Sequence, residues 1–369
     1  MGADDKQSNL QSSLGNLTLW SVENRSGGGD MQYDELQSDE IGALSVFLRA
    51  GFGVERSFIF DEDVLRWKYF GRSDVDRTRS LVVHHADGSI GAHVGVTYAR
   101  FALQGNAGDV LRGMFPTDWI SRIPGAGIKL AQYGMQDTDI LYALGGTQDA
   151  VRALLAMRCR WMYDIPRWRR ILSWRGALLG AFTEGGGVVW KSARAVRNTM
   201  FLRGFPPLDP KRLDLERMDG FDESELRRLA PVGPGFTVRT PERLNHLLAH
   251  PRGIVTGWRF ISHDGPCGYA VLSVMPGDVV HARIVDCVLA RDDPDEWRHA
   301  FGLLTLQLRR MGVDVVTCLA RPDCWQQALQ SNDYHPYGRC PLHMYQSGSR
   351  NAAVDDLMLT MLEGDHAYC

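Results

Sequence analysis

One five-residue pattern occurs twice in this chain, as Asp87-Gly88-Ser89-Ile90-Gly91 and as Asp264-Gly265-Pro266-Cys267-Gly268. An Asp-Gly pair suits the positive-φ corner of a tight hairpin, so each copy predicts two antiparallel strands meeting at a sharp turn. In the first copy these strands span 80–84 and 91–98. The surroundings recur in the same order. A short helix precedes each hairpin, over 65–69 and over 244–248. After each come a strand, a long helix, a strand opening Asp139-Ile140-Leu141 or Asp314-Val315-Val316, and a helix that leads into Trp161 or Tyr334. Six elements repeated in order point to a duplicated domain. A length of 369 residues with 44% hydrophobic content supplies enough apolar side chains for two cores.

In the first copy the full predicted order is β-α-α-β-β-β-α-β-α-β. A strand over 31–36 is followed by a helix over 43–50, with Ser38 as its N-cap, and by a second helix over 61–70 with an acidic start. Strands over 110–121, 139–144 and 161–166 alternate with helices over 125–135 and 147–158. The fold class expected is α/β in the α+β sense: two tandem domains, each a mixed, mostly antiparallel sheet flanked by helices. Residues 1–30 are rich in Ser, Asn, Gln and Gly, bury too little apolar surface to offset ordering entropy, and are expected to be a mobile leader. The first domain is placed at 31–170, a connection containing Glu184-Gly185-Gly186-Gly187 at 171–205, and the second domain at 206–369.

Charge and cysteine usage narrow the classes. With 41 basic and 44 acidic residues the formal charge is −3, so there is no global basic field to concentrate the chain on nucleic acid. The seven cysteines are scattered without CxxC pairs, which suits a reducing compartment. The polar, acidic N-terminus lacks the features of a secretory signal, and no apolar run approaches the ~20 residues of a membrane span. A cytoplasmic location is expected.

The segment that carries chemistry is Arg122-Ile123-Pro124-Gly125-Ala126-Gly127-Ile128-Lys129-Leu130, between a predicted strand and a predicted helix. Two glycines let backbone amides approach an anion closely, and the following helix aims its unsatisfied N–H groups and positive dipole end at the same point. The pattern reads as a pyrophosphate cradle, with an ordinary tight turn as the alternative. A dinucleotide fingerprint would need three glycines within a parallel βαβ unit, whereas hairpin strands precede this loop.

Extended to Thr117-Asp118-Trp119-Ile120-Ser121, the segment resembles the acyl-CoA pyrophosphate loop of the GNAT superfamily of N-acyltransferases, whose element order it also shares. Leu65-Arg66-Trp67-Lys68-Tyr69-Phe70 is similar to a tryptophan-containing helix of bacterial double-domain members. The resemblance covers about 31–170 with its motif and about 206–346 by pattern only. It implies acyl-CoA or another acyl-pantetheine as co-substrate, with no tightly bound cofactor, held by Trp119, Ile120, Ser121, Arg122, Ile123, Pro124, Gly125, Ala126, Gly127, Ile128 and Lys129. The second-half loop, Leu289-Ala290-Arg291-Asp292-Asp293-Pro294-Asp295, is acidic and lacks glycine, so donor binding is expected in the first half alone.

The resemblance further implies that an acceptor amine attacks the thioester directly, with a base to remove its proton and a donor for the leaving thiolate. Asp118 is the candidate base; alternatively it is a strand-end carboxylate paired with a residue such as Arg122. Many family members carry the donor as a tyrosine on the helix after the fifth strand, where this chain has Ala156. Tyr142 is the candidate donor, with Tyr163 as a substitute and aromatic packing as the alternative for both.

Three further groups are weighed. His84, His85 and His93 lack the spacing and partners of a metal set. Cys159 sits between Arg158 and Arg160, which would lower a thiol pKa, although a helix end suits a structural cysteine. Arg158, Arg160, Arg167, Arg169, Arg170 and Arg175 form the one local basic concentration; a CoA 3′-phosphate or an acyl carrier protein would suit it, and so would solvent.

The function expected is transfer of an acyl group to a small-molecule amine. Two other readings stand beside it. One is a non-catalytic domain pair that binds an acyl thioester or carrier protein. The other is an aminoacyl transferase of the peptidoglycan-bridge type, against which the acidic balance argues.

Overall fold

The computed structural model describes residues 33–364 except 54–57, 73, 75, 103–109, 184–186, 201, 203–211, 230–234, 322, 347–356 and 358. The leader expected over 1–30 lies outside the described residues. Ten helices and twelve strands follow among those described. The first half holds β1 (Tyr33–Glu35), α1 (Ile41–Phe52), α2 (Glu62–Phe70), β2 (Arg79–His84), β3 (Ile90–Ala102), β4 (Val110–Ser121), α3 (Ala126–Gly134), β5 (Ile140–Leu144), α4 (Gln148–Ala156) and β6 (Arg160–Ile171). Two helices, α5 (Trp174–Thr183) and α6 (Val188–Met200), lie in the segment expected to be the connection. The second half repeats the order with β7 (Asp214–Met218), α7 (Glu223–Arg228), α8 (Pro241–Leu248), β8 (Val255–Ser262), β9 (Gly265–Met275), β10 (His281–Leu289), α9 (Pro294–Arg310), β11 (Val315–Leu319), α10 (Asp323–Ser331) and β12 (His335–Gln346).

Both hairpins turn where the Asp-Gly pairs predict, with Gly88 at φ +81° and Gly265 at φ +106°, conformations that cost a glycine little. Thr147, Asp222, Thr240 and Asp293 each accept a backbone N–H bond at the start of the helix they precede.

All twelve strands form one sheet in the order β1-β2-β3-β4-β5-β12-β6-β11-β10-β9-β8-β7. The last strand of each half is exchanged. β12, from the second half, pairs with β5, and β6, from the first half, pairs with β11. β6 and β12 pair with each other between them. The described residues accordingly form a single contact unit.

Strand alternation distributes the helices over both faces. On one face of the first half, Val82 and Ile90 pack with Leu44, Phe47, Leu65 and Tyr69 of α1 and α2. On the other, Gly134 of α3 lies against Leu81, Val96 and Met114. In the second half, Ala282, Ile284, Val316 and Cys318 pack with Trp297, Phe301 and Leu304 of α9, while Val271, Val285 and Leu319 share a core with Leu244 and Leu247 of α8. Trp67 joins the halves: its Nε1 donates to the His246 carbonyl at 2.8 Å, and its indole stacks on the His246 ring at 4.6 Å between centroids.

Candidate functional site

β4 and β5 run parallel but pair only at Gly113–Ile140 and Met114–Leu141. Beyond Met114, β4 stays with β3 and parts from β5, so a gap opens toward the end of β4. A bulge near that end sets its course: Gly95 pairs with Thr117 and His93 with Ile120, leaving Asp118 and Trp119 opposite Val94, with Asp118 at φ +46°.

Side chains from α2 and β3 hold this strained residue. The Asp118 carboxylate accepts from Lys68 Nζ at 2.8 Å and from the Tyr69 hydroxyl at 2.6 Å, while Lys68 also donates to Thr117 Oγ1. The Asp118 carbonyl accepts from His93 Nδ1 at 2.9 Å, and His93 Nε2 meets the Ser80 hydroxyl at 2.9 Å. Because a carbonyl only accepts, Nδ1 carries the ring proton. Burial outweighs the Asp118 charge and pushes the His93 pKa down to about 4, so the imidazole is neutral. Asp118 therefore pairs with Lys68 rather than with Arg122, whose guanidinium lies over the Phe47 ring at 5.0 Å. The sequence placed Lys68 and Tyr69 on the motif helix without signalling their role, since the contact spans some fifty positions.

The loop after the bulge is pinned at both sides. Arg122 N donates to the Gly91 carbonyl at 2.9 Å, and the Ser121 hydroxyl donates to the Ile123 carbonyl at 2.6 Å. Gly125 is the N-cap of α3 with φ +77°, and no side chain caps the helix. A Cβ on Gly125 would meet nothing within 4 Å, so its backbone faces open space. Gly127 is different from what the loop pattern led us to expect. A Cβ there would lie 2.6 Å from Trp119 Nε1, so this glycine serves packing against the indole and not room for an anion. At the corresponding helix of the second half, the Asp293 carboxylate accepts from Asp295 N and Glu296 N and fills the N-terminus of α9.

Tyr142 is fully buried on β5, packed against Phe101 and Phe115, and its hydroxyl donates to the Glu363 carbonyl at 3.0 Å. Tyr163 donates to the Leu357 carbonyl at 3.1 Å. Asp118 and Tyr142 thus engage different partners. His84 pairs with Glu40 at 2.8 Å. Burial drives the Cys159 thiol up to about 12, which overrides the lowering anticipated from its arginine neighbours. The arginine concentration is not one patch, because β6 alternates faces: Arg170 is buried and donates to the Asn332 carbonyl, whereas Arg169 stacks on Tyr337 from the opposite face.

A β-α-α-β-β-β-α-β-α-β unit with a bulged fourth strand splayed from the fifth, present twice in one chain, defines the tandem form of the GNAT acyltransferase fold. Solved structures agree. The chain is similar to a GCN5-related N-acetyltransferase from Anabaena variabilis (14% identity, 86% of this chain and 73% of that one, TM-score 0.55). It is similar to Saccharomyces cerevisiae N-myristoyltransferase with bound myristoyl-CoA (10% identity, 88% and 81%, TM-score 0.60). A putative acetyltransferase from Pyrococcus horikoshii shares 10% identity over 91% of this chain and 97% of that one, with TM-score 0.53. No family model matches the chain, and no curated protein matches it in sequence.

Proposed function

We propose that this protein is an acyltransferase that binds acyl-CoA in its first half and passes the acyl group to an amine on a small-molecule acceptor. The observation that carries the reading is the contrast between two equivalent helix starts. The α3 terminus is opened by Gly125 and left uncapped beside the β4/β5 gap, whereas the α9 terminus is occupied by Asp293. Helix-start N–H groups that no side chain caps, together with the helix dipole, favour a pyrophosphate at the first and not at the second, although Ala126 N is already engaged with the Ile123 carbonyl. The fold likeness to a myristoyltransferase solved with myristoyl-CoA supports the same donor class.

In this reading the pantetheine arm enters the gap between β4 and β5, and the neutral amine attacks the thioester carbonyl. The C–N bond forms, the C–S bond breaks, the ammonium proton passes to solvent or a base, and the thiolate leaves as CoA thiol. Asp118 acts as a positioning residue, since Lys68 and Tyr69 already take its carboxylate oxygen; as the base it would have to give up that pair. Tyr142 likewise supports the sheet, its proton committed to Glu363. The engagement of both groups is also what favours the second reading, a non-catalytic acyl-thioester binder. Donor CoA is preferred over a carrier protein because β6 splits the arginine cluster between faces.

Incubation with acetyl- and longer acyl-CoA against a panel of amines, read by mass spectrometry, separates the two. CoA release with an acylated amine establishes the enzyme. Binding of CoA by calorimetry without turnover establishes the binder, and no CoA binding rejects the proposal.

A further inference from the structure

The α5–α6 hairpin is folded with its apolar side outward. In α6 the buried and half-buried positions are Lys191, Arg194, Ala195 and Asn198, a stripe at helical spacing made of small and polar residues. Opposite that stripe stand Val189 and Val196, flanked by Val188 and Trp190; all four are exposed, Val189 and Trp190 by 81% and 73%. α5 repeats the arrangement. Gly176 and Ala177 are buried, while Trp174, Leu178 and Leu179 are exposed.

Contacts on the inner side fix this orientation. Arg175 donates to the Gly277 and Asp278 carbonyls, and a Cβ on Gly176 would lie 2.5 Å from the Asp314 carbonyl oxygen, so α5 sits close against the body of the protein. Asn198 Nδ2 donates to the Ala177 carbonyl at 3.3 Å and ties α6 to α5. Neither helix can roll its large side chains inward without losing these contacts. An amphipathic helix ordinarily buries its apolar stripe against its own core, and a contiguous apolar face left outside marks a surface that meets something else.

The chemistry of the face selects its occupant. From 174 to 200 the sequence holds four basic residues, Arg175, Lys191, Arg194 and Arg197, and one acidic residue, Glu184, in a chain whose formal charge is −3. A second copy of the chain would set this cationic face against itself, and like charges oppose that pairing. An anionic lipid surface complements it. The aliphatic side chains suit the acyl boundary, the indoles of Trp174 and Trp190 suit the headgroup level, and basic residues are drawn to anionic lipid. Helices of 10 and 13 residues are too short to cross a bilayer, which takes ~20, so the hairpin would lie in the surface.

We infer that the α5–α6 hairpin docks the protein on an anionic lipid surface, with Leu178, Leu179, Val188, Val189 and Trp190 entering the headgroup boundary. Such docking is independent of acyl transfer.

Co-sedimentation of the full-length protein with phosphatidylcholine vesicles, with and without phosphatidylglycerol, is the test. The expected result is binding that phosphatidylglycerol strengthens, that added salt weakens, and that Val189→Ser/Trp190→Ser reduces about tenfold or more. Leu178→Ser/Leu179→Ser on the other helix gives the same loss and covers the case in which the first variant does not fold. Because all four side chains are exposed, melting temperatures of the variants should stay near that of the wild type. Brominated acyl chains should quench tryptophan fluorescence of the wild type more than that of Val189→Ser/Trp190→Ser. No binding to either vesicle, binding indifferent to phosphatidylglycerol, or equal binding by the folded variants overturns the inference. A dimer that light scattering detects, that the same variants dissociate and that binds no vesicle assigns the face to a second copy and overturns it as well.

Discussion

Lys68 Nζ lies 2.8 Å from Asp118 Oδ2, and the two side chains are only 4% and 5% exposed. A pair this deep is held against a large desolvation cost, so removing one partner leaves an uncompensated buried charge. Lys68→Met should destabilise the protein by about 3–5 kcal/mol. Lys68→Met combined with Asp118→Asn should recover part of that loss, because the remaining side chain is neutral and asparagine tolerates the left-handed backbone at Asp118. Urea unfolding of the wild type and both variants measures this; equal stability of Lys68→Met and wild type would show that the pair does not anchor the bulge.

The single Asp118→Asn variant separates positioning from catalysis. If Asp118 is the base, Asp118→Asn should abolish turnover at every pH. If it only positions β4, the variant should keep a measurable kcat with a raised KM for the acyl donor, since the altered bulge disturbs the pantetheine gap.

Three imidazoles give the fold a pH dependence of definite sign. Burial lowers His93, His246 and His250 to about 4 from an ordinary 6.5, outweighing the carboxylates Asp118, Asp74 and Asp63 that raise them. Their folded forms are neutral, and the unfolded chain binds more protons between these values. Stability is therefore complete above about pH 6.5 and falls as the pH drops toward 4. For His93, which is entirely buried, the drop is worth about 3 kcal/mol. Urea midpoints taken between about pH 7 and 4.5 should decline steadily; a flat profile would contradict the neutral assignment.

Strand exchange makes a further prediction. A fragment of 206–369 lacks β6, so the edge of β11 and one edge of β12 lose their partners, while β5 is also absent. Unpaired central edges are costly and aggregation-prone. The fragment should be insoluble or largely unfolded by circular dichroism, and coexpression with 31–205 should restore a folded complex. A soluble, folded fragment would show that the halves are independent after all.

How far the sequence could be read follows from the range of the signals. Hairpins, caps and element order are local, and the Asp-Gly pairs, the acidic α2 start and the 110–121 strand all carried them. Exchange of β6 and β12 depends on which edges meet after folding, and no residue in either strand announces it. The α5–α6 hairpin is not announced, because the glycine run after Glu184 reads as a break and masks the helical spacing of Trp174, Ala177 and Leu178 before it. In the site, the loop was legible because glycine placement is a backbone requirement. Its two glycines were not distinguishable, since only the fold brings Trp119 against Gly127. Lys68 and Tyr69 were hidden for the same reason, their contact with Asp118 being tertiary.

The decisive prediction concerns Gly125. Its φ of +77° lies in the left-handed region, which Asn and Asp enter more readily than other side chains, and a Cβ there meets nothing within 4 Å. Gly125→Asp should therefore fold, while placing at the start of α3 the same carboxylate that Asp293 places at the start of α9. The added charge repels a pyrophosphate and competes for the amides that would hold it. Loss of two charge-assisted hydrogen bonds, at about 1.5–3 kcal/mol each, weakens CoA binding by more than a hundredfold. Gly125→Asn is the matched neutral control: it carries the same backbone strain without the charge, so its CoA affinity should fall less. Calorimetry with CoA, alongside melting temperatures without ligand, resolves affinity from folding. A folded Gly125→Asp protein that binds CoA as the wild type does would remove α3 from the donor site, and the acyl-CoA reading with it.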